Sequence, residues 1–538
     1  MGAKPWFTLL LCGVLLSSGS VSLLGTQAPQ EPHAELSNSH AGQAGEGDVE
    51  PGSAYAAQPS PCEARAKPPA GLGGCHAWRA YVDGPASSHD DPITITYDGD
   101  HDLVIAVGST RPPDGGRERV VGADDTEDAT AVAFDAATGE EVWRHKLDTA
   151  GEHDVFADVE AAADTGPVYV TGATTDATGT QHGLVRALDP ASGEPVWTDT
   201  FVSPHSDSDG FFGLEDTYAF RTAVTSQGEL LVSGTYTSAD GDSDTHFRSY
   251  DPASGALAWN LTYEGHSSEN EYIEWLDVDD GATRAWAGGL DRRGRTLLMD
   301  LDLENREVDW YRAKGSYYGD RGFAHSETRE EMYSLTTTRG DKDYRLTTYE
   351  VATGDGLGSL TTGVPEDEPN RASDLAFAEE EGLLIGTGRT LPPETAESAW
   401  TGTVGIDADT DEVVWRNRGE DSATAASFPR ELAIAPGESC AVVVGNGQNP
   451  VYPRMLSITS LDIGTGEPIF EAGYSENPYY PPFAVDTAFA SDGDAIFVLA
   501  SQYQLTADLR LDSPNKFTQT DWLVLGFDDP CRSRGPVG

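Results

Sequence analysis

Eight polar residues recur about once per repeating unit of the chain: Asp91, Asp158, Arg221, Glu274, His325, Asp374, Glu431 and Asp486, mostly in stretches where apolar and polar residues alternate. Brought together, they would form a mostly acidic ring interrupted by a guanidinium and an imidazole. Carboxylate oxygens are hard ligands, so such a ring could hold Ca2+ or a polar ligand. In the competing reading each side chain bonds backbone groups of a neighbouring strand, because buried polar groups must be paired. A second cluster, Asp240, Asp242 and Asp244, has the alternate spacing of a calcium loop. Gly241 falls between the first two, however, and no Glu follows at the required distance. Asp98, Asp100 and Asp102 read as a solvated turn, and Asn260-Leu261-Thr262 is a lone glycosylation sequon inside an expected strand. There is no Gly-x-Ser-x-Gly, P-loop, His-Glu-x-x-His or Cys-x-x-Cys. Serine hydrolysis, nucleotide chemistry, zinc proteolysis and dithiol exchange therefore lack their usual signatures.

The elements that must position these residues come from an internal repeat. Its first full copy runs from Asp135-Ala-Ala-Thr-Gly139 to Trp143, and further copies run from Asp189 to Trp197, Asp251 to Trp259, Asp302 to Trp310, Glu350 to Gly358, Asp407 to Trp415 and Asp462 to Phe470. In the Asp-x-x-Thr/Ser-Gly stretch, Asp can bond its own backbone and Gly can take positive φ, so the stretch makes a tight hairpin. Around it lie alternating segments rich in Val, Thr and Tyr, which read as antiparallel strands. Each unit is a four-stranded meander, and radial repetition of such units makes a β-propeller. The unit at Asp528 lacks a fourth strand, while Gly74 to Arg79 matches Gly139 to Arg144 in spacing. The expected fold is all-β: an eight-bladed propeller whose ring is closed by the N-terminal strand in the last blade.

These units resemble the pyrroloquinoline-quinone-like (PQQ-like) β-propeller repeats of quinoprotein dehydrogenases and their non-catalytic relatives, over residues 75 to 531. The resemblance implies that Trp78, Trp143, Trp197, Trp259, Trp310, Trp415 and Phe470 pack between neighbouring blades, as aromatic burial between sheets requires unaided. The dehydrogenases also carry an adjacent cysteine pair over the quinone and a calcium held by Glu, Asn and Asp. This chain has no Cys-Cys pair, and no matching calcium motif is found. A non-catalytic module that binds a protein or small-molecule ligand is therefore expected, with no cofactor. A PQQ-dependent dehydrogenase of alcohols or sugars is the alternative, and a cell-surface structural protein is a third class.

The 538-residue chain has 34 Lys+Arg against 90 Asp+Glu, a net charge of −56. Such a field repels nucleic acid and anionic membranes, and at high salt its self-repulsion is screened. Residues 1–28 have the layout of a signal peptide, with Lys4, an apolar run from Trp6 to Leu16 and a small residue before cleavage near Ala28. The run is too short to span a bilayer. Cys12 follows leucines rather than the small residue that precedes a lipid-attachment cysteine. Residues 29–70 read as a disordered leader, 71–532 as the propeller and 533–538 as a tail, together a secreted monomer. Four cysteines remain after cleavage, Cys62, Cys75, Cys440 and Cys531. By the repeat alignment Cys531 takes the place of Thr138 and Cys75 that of Glu140, so a Cys75–Cys531 disulfide is expected to lock the ring.

Overall fold

Each repeat folds as a four-stranded antiparallel sheet, and eight such sheets are present. The computed structural model describes residues 77–532 except 83–89, 112–126, 163–165, 204–217, 227, 238–242, 264–270, 280, 292–293, 315–321, 339–342, 365–368, 391–399, 420–425, 448–454, 476–481, 505–518 and 529. The segments 1–28, 29–70 and 533–538, together with Asp240 and Asp242, lie outside the described residues. Blades 1 to 7 span 91–147, 154–201, 218–263, 271–314, 322–362, 370–418 and 426–474. Blade 8 combines 483–528 with the amino-terminal strand Trp78–Val82, which pairs antiparallel with Gln519–Asp528 and sets Trp78 opposite Gly526. The chain is thus an eight-bladed propeller closed by its first strand. The first strand of blade 1 touches that of blade 8 as well as that of blade 2. No helix among the described residues is long and apolar enough to cross a membrane.

Burial explains the pattern within a blade. The second strand of blade 1, Leu103–Thr110, is buried at every position because neighbouring sheets cover both its faces. The fourth strand, Glu141–Leu147, has one exposed edge and alternates. The hairpin between the third and fourth strands forms as its residues dictate. The Asp135 carboxylate accepts bonds from the Thr138 N–H and hydroxyl at 2.8 and 2.7 Å, and Gly139 sits at φ +71°. First-to-second and third-to-fourth connections are tight turns on one face of the ring. The strand ends that flank the longest connections, Thr110 and Asp128, Phe201 and Tyr218, Thr390 and Trp400, and Gln504 and Gln519, lie toward the opposite face.

Neighbouring blades are fastened by one recurring contact. The indole of Trp143 lies over Gly193 of the next blade, and its Nε1–H donates to the Pro190 carbonyl at 2.7 Å. Trp78 meets Gly139, Trp197 meets Gly255, Trp310 meets Gly354 and Trp415 meets Gly466 in the same way. The hairpin glycine therefore answers two demands, positive φ and room for the preceding blade's indole. Where the pair is broken, both halves change. Trp259 precedes a turn with Arg306 at φ +60° and donates to Glu229 of its own blade instead. Gly358 stands where blade 5 would have its Trp, and the next turn has Asp411 at φ +55°. At the last junction Phe470 faces the segment around Cys531.

That junction corrects the expected disulfide. Cys531 is bonded to Cys440 of blade 7, with Cα atoms 5.3 Å apart, and not to Cys75, which lies outside the described residues. The physical reason is the contact just described: each hairpin rests on the preceding blade, so Cys531 faces blade 7 rather than its own outer strand. Trp78 still takes its place in blade 8.

Candidate binding site in the central channel

The inner strand of each blade lines the channel, and seven of the eight carry a bulge that shifts register by one residue. The residue just after the bulge is Thr94, Asp158, Arg221, Trp275, Asp374, Glu431 or Asp486. The structure therefore brings together Asp158, Arg221, Asp374, Glu431 and Asp486 at one level. It places the other three expected members elsewhere. Asp91 lies toward the end of the strand, opposite Ser109, where Thr94 has the ring position. Glu274 is itself the bulged residue, its side chain exposed, and its carbonyl accepts the Arg221 Nε–H at 2.8 Å. In blade 5 the described inner strand begins only at Gly322, and a Cβ there would fall 2.1 Å from the Leu375 nitrogen of blade 6. His325 lies three residues further along the same strand. The shared level is mid-strand, so the cluster occupies the waist of the channel rather than its mouth.

Each aspartate ties an even-numbered blade to the next odd-numbered one. Asp158 accepts bonds from the Thr222 N–H and hydroxyl at 2.7 and 2.8 Å. Asp374 accepts the Leu432 N–H at 2.9 Å, and Asp486 accepts the Ile95 N–H at 3.0 Å and the Thr94 hydroxyl. In blade 4, Asp277 does this work through a 2.8 Å contact with His325 Nδ1 of blade 5. Trp275 stacks on Phe323, ring centroids 5.9 Å apart, which occupies one face of the indole. Glu160 and Glu431 receive no hydrogen bond from a described residue.

These side chains keep a partly exposed surface yet are surrounded by protein, so little water screens them. Burial pushes Asp374 up to about 7, with Asp486 adding to the rise. Burial, then Asp158 and Asp277, push Glu160 up to about 8. Burial also raises Glu431, with Asp374 and Asp486 reinforcing it and Arg221 opposing. Asp158 and Asp486 are raised by burial, again against the pull of Arg221. Arg221 in blade 3 thus acts on Glu431 in blade 7, directly across the ring. One guanidinium serves as shared counterion for a set of carboxyls, so the waist favours cations and hydrogen-bond donors over oxyanions.

Among the described residues no three His, Cys, Asp or Glu side chains converge to hold a metal ion. Backbone N–H groups already occupy the aspartates. Of the expected calcium loop only Asp244 is described, buried in the strand Ser243–Tyr250. Sequence reasoning missed Glu160 and Asp277, each two residues beyond the ring position. Period-two alternation puts such residues on the same face and could have found them.

Residues 127–274 and, overlapping them, 181–378 match the family model described as outer membrane protein assembly factor BamB. The repeats over these residues belong to the PQQ-like β-propeller family. No curated protein matches the sequence. The PQQ-like propeller is similar to the Dos1 propeller, with 12% identity, TM-score 0.51 and coverage of 82% of this chain and 93% of that one. It is also similar to Chaetomium thermophilum Sqt1 bound to the N-terminus of ribosomal protein L10, with 11% identity, TM-score 0.50 and coverage of 83% and 98%. Quinohemoprotein alcohol dehydrogenase ADHIIG from Pseudomonas putida HK5 gives 12% identity, TM-score 0.50 and coverage of 86% and 77%. At such identities the likeness is one of fold.

The raised carboxyls set a pH dependence. Their folded pKa values exceed the unfolded ones, so folding takes up protons in that window and stability rises as pH falls from roughly 8.5 to 6.5. Below roughly 6.5 the unfolded chain's histidines charge while His145, His153 and His246 stay neutral, held down by burial to about 4, 4 and 3, which opposes the gain. The unfolding midpoint should therefore climb between roughly pH 8.5 and 6.5 by an amount equivalent to about 1–3 kcal/mol. Glu160→Gln, neutral at every pH, should be more stable than the parent at the upper end and flatten the slope. A flat parent profile at constant ionic strength would show that the waist carboxyls are ionised throughout.

Proposed function

We propose that this PQQ-like propeller is an exported, non-catalytic binding module that takes a positively charged protein segment on its loop-bearing face, over the acidic channel. The observation that carries the reading is the waist itself: side-chain charge reaches from Arg221 to Glu431 across the ring, and the aspartates are bonded to neighbouring blades. Such a waist is built as an electrostatic floor rather than as a flat slot for a quinone. Sqt1, whose propeller is alike in fold, is bound to the terminus of another chain, which supports the binding class by analogy only.

The test is titration of a fluorescent pentalysine peptide with a free amino end, at fixed salt and at roughly pH 9, where Glu160 is ionised and lysine still charged, into the parent and into Glu160→Gln and Glu431→Gln. Each substitution alters the net charge of −56 by a single unit, so diffuse attraction would hardly change. Weakening by about tenfold in each variant supports the channel reading. Equal affinity for all three proteins defeats it. Cofactor-dependent turnover of alcohols or aldoses after reconstitution with PQQ and Ca2+ would replace it with the dehydrogenase reading.

A further inference from the structure

The sequon Asn260-Leu261-Thr262 lies in Leu257–Tyr263, the outermost strand of blade 3, whose outer edge has no partner strand among the described residues. Asn260 and Thr262 are both exposed, on either side of the half-buried Leu261. The Asn260 carboxamide makes no hydrogen bond to a described residue, while the Thr262 hydroxyl meets His246 Nδ1 at 2.8 Å. A strand is ordinarily a poor place for a bulky modification, because both faces of a central strand are packed. This one is the outermost strand of its blade, with Leu257, Ala258, Asn260 and Thr262 exposed and only Trp259 buried.

The same strand has an unsolved edge problem. Unpaired strand edges invite pairing with other chains, and proteins blunt them with charge. Six of the eight outermost strands carry a charged residue: Arg79, Arg144, Asp199, Arg312, Arg416 and Glu471 are among them. The two without are Gly356–Thr362 and Leu257–Tyr263. The first is broken by Gly356 and Gly358, which are poor strand formers. The second reads Leu-Ala-Trp-Asn-Leu-Thr-Tyr, rich in strand-forming apolar residues, and its Leu257 is 43% exposed. A bulky hydrated group at Asn260 would protect this edge, where the protein uses charge elsewhere.

We propose that Asn260 is an N-glycosylation site, its glycan covering the free edge of blade 3. The donor is an oligosaccharide linked through its anomeric carbon to a polyprenyl phosphate or diphosphate. The Asn260 carboxamide nitrogen forms the new bond to that carbon, the carbon–oxygen bond to the phosphate breaks, and the amide proton leaves with the lipid phosphate. The proposal rests on export, the compartment in which such transfer takes place, and is independent of what the channel binds.

Intact-mass measurement of the protein secreted by its own host tests it, with Asn260→Gln, Thr262→Ala and Thr262→Ser made in that host. Asn260 is exposed and its carboxamide makes no hydrogen bond to a described residue, so Asn260→Gln leaves folding undisturbed, and Thr262→Ser keeps the bond to His246. The parent and Thr262→Ser should carry a mass excess of one glycan, and Asn260→Gln and Thr262→Ala should lose all of it. In sedimentation the two unglycosylated variants should self-associate more than the parent. A parent at its unmodified mass overturns the proposal, and recovery of that protein from the medium separates this result from failed export. An excess that survives Asn260→Gln overturns it as well.

Discussion

Gly193→Ala should cost about 3–5 kcal/mol, whereas Gly151→Ala should cost only about 1–2, the ordinary penalty of a left-handed residue with a side chain. The two glycines have nearly the same backbone, φ +69° and +72°. They differ in what surrounds them. A Cβ at Gly193 would fall 2.5 Å from the Trp143 ring, while at Gly151 no atom lies within 4 Å. The excess at Gly193 therefore measures the blade junction and not turn strain. Trp143 is 6% exposed, so Trp143→Ala should also cost about 3–5 kcal/mol through the cavity it leaves and the lost bond to Pro190. Once the indole is gone the alanine methyl has room, so the double variant should be markedly less damaged than the sum of its parts. Denaturant midpoints of the four proteins complete the cycle. Equal costs at Gly151 and Gly193, or strict additivity, would mean that the indole yields to the methyl and that the contact does not hold the blades.

How far this architecture is legible in the sequence depends on the range of the interaction. The Asp135 turn is local: its carboxylate, hydroxyl and glycine lie within five residues, so the pattern announces itself in each copy. The strand borrowed for blade 8 is equally legible, because Trp78 keeps the spacing of Trp143. The channel residues are less so, since a bulge inserts one residue without breaking the look of alternation. It turned Glu274 out of the ring and put Trp275 in its place, and it gave the blade 1 position to Thr94 rather than Asp91. The relation between blades is the least legible. That Asp158 would be bonded by Thr222, or Cys531 by Cys440, follows from how one sheet sits on the next, and no spacing within a repeat encodes it.

Removing the Cys440–Cys531 bond should destabilise the protein by about 2–5 kcal/mol, since it closes a loop spanning 91 residues and the chain-entropy estimate is largest for long loops. Its position makes the loss heavier than at another junction. Between blades 7 and 8 there is Phe470 in place of the tryptophan, and no hairpin glycine receives it. Nor is the last hairpin covalent, because the fourth strand of blade 8 comes from the other end of the chain. The carboxyl end is thus held by the pairing of Gln519–Asp528, by the Ser460 hydroxyl on the Pro530 carbonyl at 2.5 Å, and by the disulfide. Cys531→Ala is the informative variant, because Cys440 is fully buried and its replacement would also disturb the core of blade 7. Its denaturant midpoint should fall, reductant should lower the parent to the same value, and reductant should leave the variant where it was. Non-reducing peptide mapping should recover the peptides of Cys440 and Cys531 joined. A variant as stable as the parent would show that strand pairing alone closes the ring, and a Cys75–Cys531 peptide would return the lock to the two ends of the chain.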